Sequence, residues 1–418
     1  MSVSRRILAE HVGRETLQPG EFIEAPVDLV LANDVTAPVA IEEFERLGRE
    51  AVFDPGRVVL VLDHFTPPRN IASAEQCAFV RRFAMKYGID HFYQGGRAGI
   101  EHVLLPEEGL IKPWSLVIGG DSHTCTYGAL GAFATGVGST DVGAAMATGK
   151  VWLRVPDAIS VRVTGRPGRW VGGKDLILHL IGELGVDGAT YQSIEFSGDG
   201  VDALSVEGRL TVANMVVEAG AKNCMFPVDL KTVEYLSRVG VEARETGVGP
   251  DENGYAAEVE IDFEELKPQV AIPPLPSNSV DVDEAPAVAL DQVVIGSCTN
   301  GRIEDLREAA EILRGKKAAK NVRLIIIPGS PRVYRQAIEE GLFDVFLDAG
   351  AVISPPTCGP CLGGHMGVLA AGEKSLSTTN RNFVGRMGHR ESEVYLSNPA
   401  VAAASAVTGV ITGPGEIA

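Results

Sequence analysis

Four aliphatic runs, each breaking off into a loop of glycines and reactive side chains, constrain this chain most. Val58-Val-Leu-Val-Leu62 ends in Asp63-His64, and Leu116-Val-Ile118 ends in Gly119-Gly-Asp-Ser-His-Thr124. Val293-Val-Ile295 ends in Gly296-Ser-Cys298, and Leu324-Ile-Ile-Ile327 ends in Pro328-Gly-Ser330. Runs with no polar interruption predict strands buried on both faces, the central strands of largely parallel sheets. Helical periodicity resumes after the loops, so the pattern is α/β. In such sheets ligands bind beyond the carboxyl ends of the strands. Loops are commonly polar, but three of these four strands deliver Asp, His or Cys at that end, which points to a site there.

At 418 residues the chain is long enough for two to three domains. The clearest break is a proline- and acid-rich linker at 268–288; a softer one lies at Val155-Pro156. The charge balance is 37 − 55 = −18, which excludes a general nucleic-acid surface, since that needs a basic face. Six cysteines are too few for a disulfide scaffold in a chain this long. The N-terminus has no long apolar core or cleavage site. The uncharged run 398–415 reads as a helix with Asn398 as N-cap, Pro399 at the first position and Gly409 as its stop, not as a membrane span. A cytoplasmic, reducing setting with no membrane partner is expected.

Three cysteines sit in two glycine-rich loops: Cys298 in Gly-Ser-Cys-Thr-Asn-Gly-Arg, and Cys358 with Cys361 in Thr-Cys-Gly-Pro-Cys. Three thiolates can hold a cubane iron–sulfur cluster and leave one iron open as a Lewis acid. A structural zinc with one further ligand, or free thiols, use the same spacing. Gly296, Gly359, Pro360, Gly363 and Gly364 favour the cluster, because they let backbone N–H groups approach its sulfurs. Zinc ribbons bring two C-x₂-C knuckles, and here there is one.

Asp63-His64 and Asp121-Ser122-His123 place a histidine beside a carboxylate, where it can be oriented and kept protonated. Either alone is as readily a capping Asp with a surface His; two at strand ends, among eight histidines, are better evidence. His102 is a third candidate, although Glu101-His-Val-Leu-Leu equally suits a helix surface. Asn214 and Glu218 form an i, i+4 pair on one face of an apolar helix, and a buried carboxylate there would need a partner. Arg381 and Arg386, in Asn380-Arg-Asn-Phe-Val-Gly-Arg386, suit bidentate capture of carboxylates. Cys77 and Cys224 read as small buried side chains, and Cys125 as a residue lining the site without being a ligand.

With these motifs in view, the chain resembles the aconitase superfamily over essentially its whole length. Asp-His, Gly-Asp-Ser-His-Thr, Gly-Ser-Cys-Thr-Asn-Gly-Arg, Cys-Gly-Pro-Cys and Asn-Arg-Asn-Phe-x-Gly-Arg occur in that family's order. The resemblance implies an α/β fold of three α/β domains, 1–156, 157–267 and 289–418, packed around an iron–sulfur cluster cleft, without the swivelling fourth domain of single-chain members. It implies a [4Fe–4S] cluster on Cys298, Cys358 and Cys361 with one open iron. It implies carboxylate–histidine pairs Asp63 with His64, Asp121 with His102, and Glu218 with His123, with Ser122 beside them. Asn214, Asn380, Arg381 and Arg386 would orient cluster or substrate. Asn33-Asp34 stand where single-chain members have Gln-Asp. In two-chain members a small subunit carries the swivelling domain and the base, so such a partner is expected, in a heterodimer or heterotetramer.

The implied reaction is dehydration and rehydration of a hydroxy-polycarboxylate. The substrate expected first is 3-isopropylmalate, in leucine biosynthesis, ahead of homoaconitate or a methylated malate. Outside the enzymes, an iron-sensing RNA-binding protein is opposed by the charge of −18, and a zinc-stapled structural protein is separable by metal analysis.

Overall fold

A computed structural model describes residues 1–246 and 254–417. The expected domains 157–267 and 289–418 therefore each include positions outside the described residues. The first sheet has five parallel strands in the order His91–Tyr93, Val58–Val61, Leu29–Asn33, Leu116–Gly119 and Phe133–Gly136. Every residue of Val58–Val61 and Leu116–Gly119 is buried, as uninterrupted aliphatic runs demand. Burial of each such side chain stabilises by about 1.5–3 kcal/mol. Helices Ala37–Arg46, Ile71–Lys86 and Ser139–Thr148 cover this sheet through Ile41, Phe44, Val80, Phe83, Val142 and Met146.

An antiparallel ribbon, Phe22–Pro26 with Lys150–Arg154, precedes the second sheet, which starts at Ala158. That sheet has four parallel strands, ordered Asn223–Met225, Ser193–Ser197, Ala158–Thr164 and Ala257–Asp262. The third has seven strands: Ser279–Asp281, Gln269–Ala271, Glu393–Ser397, Lys374–Ser377, Gln292–Gly296, Arg323–Ile327 and Val352–Ile353. Its last five pair in parallel and its first two run antiparallel.

The stretch 268–288, expected as a linker, thus supplies two strands. Val270 and Ala271 are buried and pair with Ser397 and Leu396. Strands of three residues are too short to show alternation in the sequence. Helix Pro399–Thr408 matches its expected signals: the Asn398 side chain accepts from Val401 N–H, and Gly409 stops the helix at φ 82°. Among the described residues, no helix is long and apolar enough to cross a membrane.

The carboxyl ends of the first and third sheets meet through the main chain. Ile100 N–H donates to Gly329 O at 2.8 Å, and Cys358 N–H donates to Asp63 O at 3.0 Å. The Thr357 hydroxyl donates to the same Asp63 carbonyl at 2.8 Å. The Cys-Gly-Pro-Cys loop is thereby seated on the Asp63-His64 turn.

Candidate active site

Cys298 leaves the end of strand Gln292–Gly296 on a one-turn helix, Ser297–Asn300. The reversal needs glycine at 296, where φ is 134° and a Cβ would lie 2.0 Å from the Ile327 carbonyl oxygen. Thr378 pins the turn, accepting from Gly296 N–H at 2.8 Å and donating to Gly296 O at 3.0 Å. Ser297 comes next at φ 78°, a conformation that stores strain in a non-glycine residue. Cys358 and Cys361 flank the start of a 3₁₀ turn, Gly359–Leu362, closed by Gly363 at φ 64°.

Polar groups surround the sulfurs. Asn380 Nδ2 donates to Cys298 Sγ at 3.3 Å, while Asn380 Oδ1 lies 3.4 Å from Cys361 Sγ. Arg386 Nη2 donates to Cys361 Sγ at 3.5 Å, and its Nε is buried with no partner. Burial pushes the Cys298 thiol up to about 12. Cys361 is held well below the usual thiol value, first by the hydrogen bond from Cys358 and also by the Arg386 guanidinium.

Among the described residues, two sets of three His, Cys, Asp or Glu ligand atoms lie within 4.8 Å of one another: Asp34 with Asp63 and His64, and Glu101 with His102 and Asp121. The three thiols do not form such a set. The N–H donors aimed at sulfur and the free Arg386 Nε fit a group that brings further acceptors to this cradle, as the sulfides of a cluster would.

Three histidines stand over this cradle. His64 Nδ1 lies 2.7 Å from Asp63 Oδ1 and 3.4 Å from Asp34 Oδ1. His102 Nε2 lies 3.1 Å from Asp121 Oδ1, and His123 Nε2 lies 2.9 Å from Glu218 Oε1. The structure thus brings together each expected pair and adds a contact at 3.2 Å between His123 Nδ1 and Asp121 Oδ1. Burial opposes charge on all three rings. The Asp63 charge and the hydrogen bonds of Asp34 and Asp63 outweigh it at His64, which sits well above the usual histidine value. At His123, burial and the Arg381 charge are outweighed by Asp121 and Glu218, and the shift is upward. At His102 burial wins and the shift is downward. Asp121, despite burial, is held well below the carboxylate range by its hydrogen bonds to His102 and His123.

Arg381 Nε donates to Glu218 Oε1 at 2.7 Å and its Nη2 donates to Ser122 Oγ at 2.9 Å. Asn214 Oδ1 accepts from Asn380 Nδ2 at 3.0 Å, joining the residue expected on the helix face to the sulfur-binding amide. Asn214 ends an α-helix, Val206–Met215, whereas Glu218 sits on the tighter 3₁₀ turn Val216–Ala219 beyond it, so the pair does not share one α-helical face. Cys77, Cys224 and Cys125 are buried; the Cys125 sulfur contacts the main-chain oxygens of Ser122 and Asn214, both at 3.7 Å.

Asn33 and Asp34 are committed to internal partners. Asp34 accepts from the main-chain N–H of His64 at 3.0 Å and of Phe65 at 2.8 Å. Asn33 Nδ2 donates to Glu101 Oε1 at 2.8 Å. Glu101 escapes sequence reasoning, because one acid in a first helical turn is usual on a surface. Here it is 1% exposed, its N–H donates to Asp63 Oδ2 at 2.8 Å, and its Oε2 has no partner. Burial, with the charges of Asp63 and Asp121, pushes its carboxyl well above the usual range. Glu101 is therefore the carboxyl of this site whose protonated form is most favoured by its surroundings.

Residues 5–409 match the description of the aconitase family (aconitate hydratase). The chain is 59% identical over 418 residues to the 3-isopropylmalate dehydratase large subunit of Moorella thermoacetica, covering all of this chain and 99% of the relative. It is 56% identical over 417 residues to the protein of the same description from Acetivibrio thermocellus, with both chains fully covered. The corresponding protein of Clostridioides difficile is 58% identical, over all of this chain and 99% of that one. Among solved structures, aconitase X of Thermococcus kodakaraensis is similar with a TM-score of 0.47 and 15% identity, over 87% of this chain and 84% of that one. The match over residues 5–409 and the full-length relatives show that the chain belongs to the aconitase family.

Proposed function

We propose that this chain is the cluster-bearing large subunit of a two-chain 3-isopropylmalate dehydratase, a hydro-lyase that interconverts 2- and 3-isopropylmalate in leucine biosynthesis. The reading is carried by full-length identities of 56–59% to relatives of that description. The aconitase family implies an iron–sulfur cluster. The finer assignment is a [4Fe–4S] cluster on Cys298, Cys358 and Cys361, with one iron left without a protein ligand. When bound, the cluster supplies Lewis acidity for loss of the substrate hydroxyl.

The chain's own residues do the remaining work. His64, kept charged by Asp63 and Asp34, and His123, kept charged by Asp121 and Glu218, supply hydrogen bonds or protons to the departing hydroxyl. His102, neutral between Tyr127 and Asp121, fixes the Asp121 carboxylate. Arg381 and Arg386 provide positive charge for substrate carboxylates inside a protein of net charge −18. Asn214 and Asn380 orient the thiols, while Asn33 and Asp34 hold Glu101 and the His64 turn.

The description of the relatives as a large subunit supports a small-subunit partner. That partner supplies the base that removes the α-proton and the contacts that read the isopropyl group. The working compartment is the cytoplasm, where thiols stay reduced.

The test is an anaerobic assay of the cluster-loaded chain, co-purified with its small subunit, on 3-isopropylmalate, homoaconitate and a methylated malate. The expected result is a kcat/KM for 3-isopropylmalate at least about tenfold above the others, a discrimination of roughly 1.4 kcal/mol. A preference for homoaconitate would overturn the substrate assignment, and a failure both to dehydrate the malates and to hydrate homoaconitate would overturn the reaction class.

A further inference from the structure

Lys174 lies outside every motif that the chemistry uses, yet it is 2% exposed. It stands at the start of helix Gly173–Leu184 and reaches into the third-sheet loops. Its Nζ donates to Thr379 O at 2.6 Å, to Thr378 O at 2.8 Å and to Asn300 Oδ1 at 3.4 Å. None of these partners is a carboxylate. The nearby acids are engaged elsewhere: Asp175 accepts from Gly172 N–H, Gln269 N–H and Asn398, and Asp305 accepts from Asn300 and Arg302 N–H. Burial pulls the ammonium down to about 7, and the charge that most opposes this belongs to Cys298, followed by Asp305, Asp175 and Cys361.

The anchored atoms matter because of their neighbours along the chain. Thr378 and Thr379 directly precede Asn380, whose amide touches Cys298 and Cys361, and Arg381, which spans Glu218 and Ser122. Asn300 ends the turn that carries Cys298. A buried ammonium held only by carbonyl oxygens is expensive unless negative charge lies nearby. Three cysteines ligating a cluster as thiolates would supply that charge.

We propose that Lys174 is a positioning residue of this site: its side-chain nitrogen gathers Thr378, Thr379 and Asn300 onto one point, aims Asn380 and Arg381, and in its charged form places positive charge beside the three-cysteine cradle. The substrate-positioning half rests on the hydro-lyase reading above; the charge half rests only on the cysteine site holding a cluster.

The test is Lys174→Met in the full two-subunit complex, reconstituted anaerobically, with Lys174→Arg as the charge-keeping variant. Two quantities are read: the KM-against-kcat split, and the midpoint potential of the cluster by a redox titration followed by electron paramagnetic resonance without substrate. Loss of a nearby positive charge disfavours reduction, so Lys174→Met shifts the potential to a more negative value and Lys174→Arg moves it back. KM rises about tenfold in Lys174→Met and kcat falls less, because a displaced Arg381 weakens binding first. An unchanged potential or an unchanged KM overturns the proposal, since a merely structural lysine would lower the melting temperature and move neither. If Lys174→Met does not fold, Lys174→Gln, which keeps one donor and drops the charge, is held to the same two outcomes. Wild-type protein that holds a cluster but leaves isopropylmalate unchanged speaks against the proposed function, and the potential still decides the role of Lys174.

Discussion

His64, His102 and His123 are all buried within one site, yet their environments set them apart. Two carboxylates favour a proton on His64, two favour one on His123, and burial disfavours one on His102. Glu101 completes the division as a carboxyl beside Asp63 whose proton burial and neighbouring charge favour. A glutamine there mimics the protonated form, so Glu101→Gln should keep kcat/KM within about threefold at pH 7. Because the folded-state value of Glu101 is raised, its stabilising contribution is present at low pH and is lost as pH climbs through that value. Glu101→Gln should therefore hold its activity further into the alkaline range than wild type; a loss above about a hundredfold at pH 7 would mean that the ionised form works. Arg381→Lys keeps the charge but cannot span Glu218 and Ser122 as a fork, and should lower kcat/KM by about 30–150-fold, some 2–3 kcal/mol, in steady-state assays. Asp63 with His64 and Asp121 with His123 were readable because each pair falls within one loop at a strand end. The Asp121 contact of His102 crosses 19 residues and rests in the sequence on family resemblance alone. Glu101 and Lys174 were not readable, since their meaning comes from burial and from partners distant in the chain.

At the scale of elements, the site depends on turns that end strands. Gly296→Ala would drive a methyl group into the Ile327 carbonyl at a φ that L-residues avoid. It should destabilise the protein by about 3 kcal/mol or more and prevent metal loading, seen by thermal melting and iron analysis. Helix Ile303–Leu313 carries a different liability. Glu308 is pushed up to about 8 by burial, with the charges of Asp305 and Asp175 adding to it. A raised carboxyl favours the folded state least once it ionises, so stability falls as pH rises from the unfolded value near 4 towards 8. Glu308 is partly exposed, which discounts the effect. Glu308→Gln should stabilise by about 1–2 kcal/mol at pH 8 and by almost nothing at pH 4, measured by urea unfolding. The aliphatic strands and the Asn398-capped helix were legible because periodicity and caps are local signals. The two strands within 268–288 were not, because Gln269–Ala271 is held by main-chain pairing to Glu393–Ser397, more than a hundred residues away, and Ser279–Asp281 pairs with Gln269–Ala271 in turn.

Across the whole molecule, the three sheets present chemistry at one place: the first supplies the Asp63-His64 and Asp121-Ser122-His123 loops, the second Asn214 and Glu218, and the third the cysteines and arginines. No sheet holds the site alone. A small subunit that completes it should raise turnover by at least about a hundredfold over this chain assayed by itself, the scale of a missing general base; equal turnover without it would remove the partner from the mechanism. Everything proposed for the reaction depends on what the three thiols hold. The direct measurement is iron, zinc and acid-labile sulfide content of anaerobically purified protein, with its visible spectrum. A [4Fe–4S] site predicts about four irons and four sulfides per chain with a broad thiolate-to-iron absorption, whereas one zinc and no sulfide would contradict it.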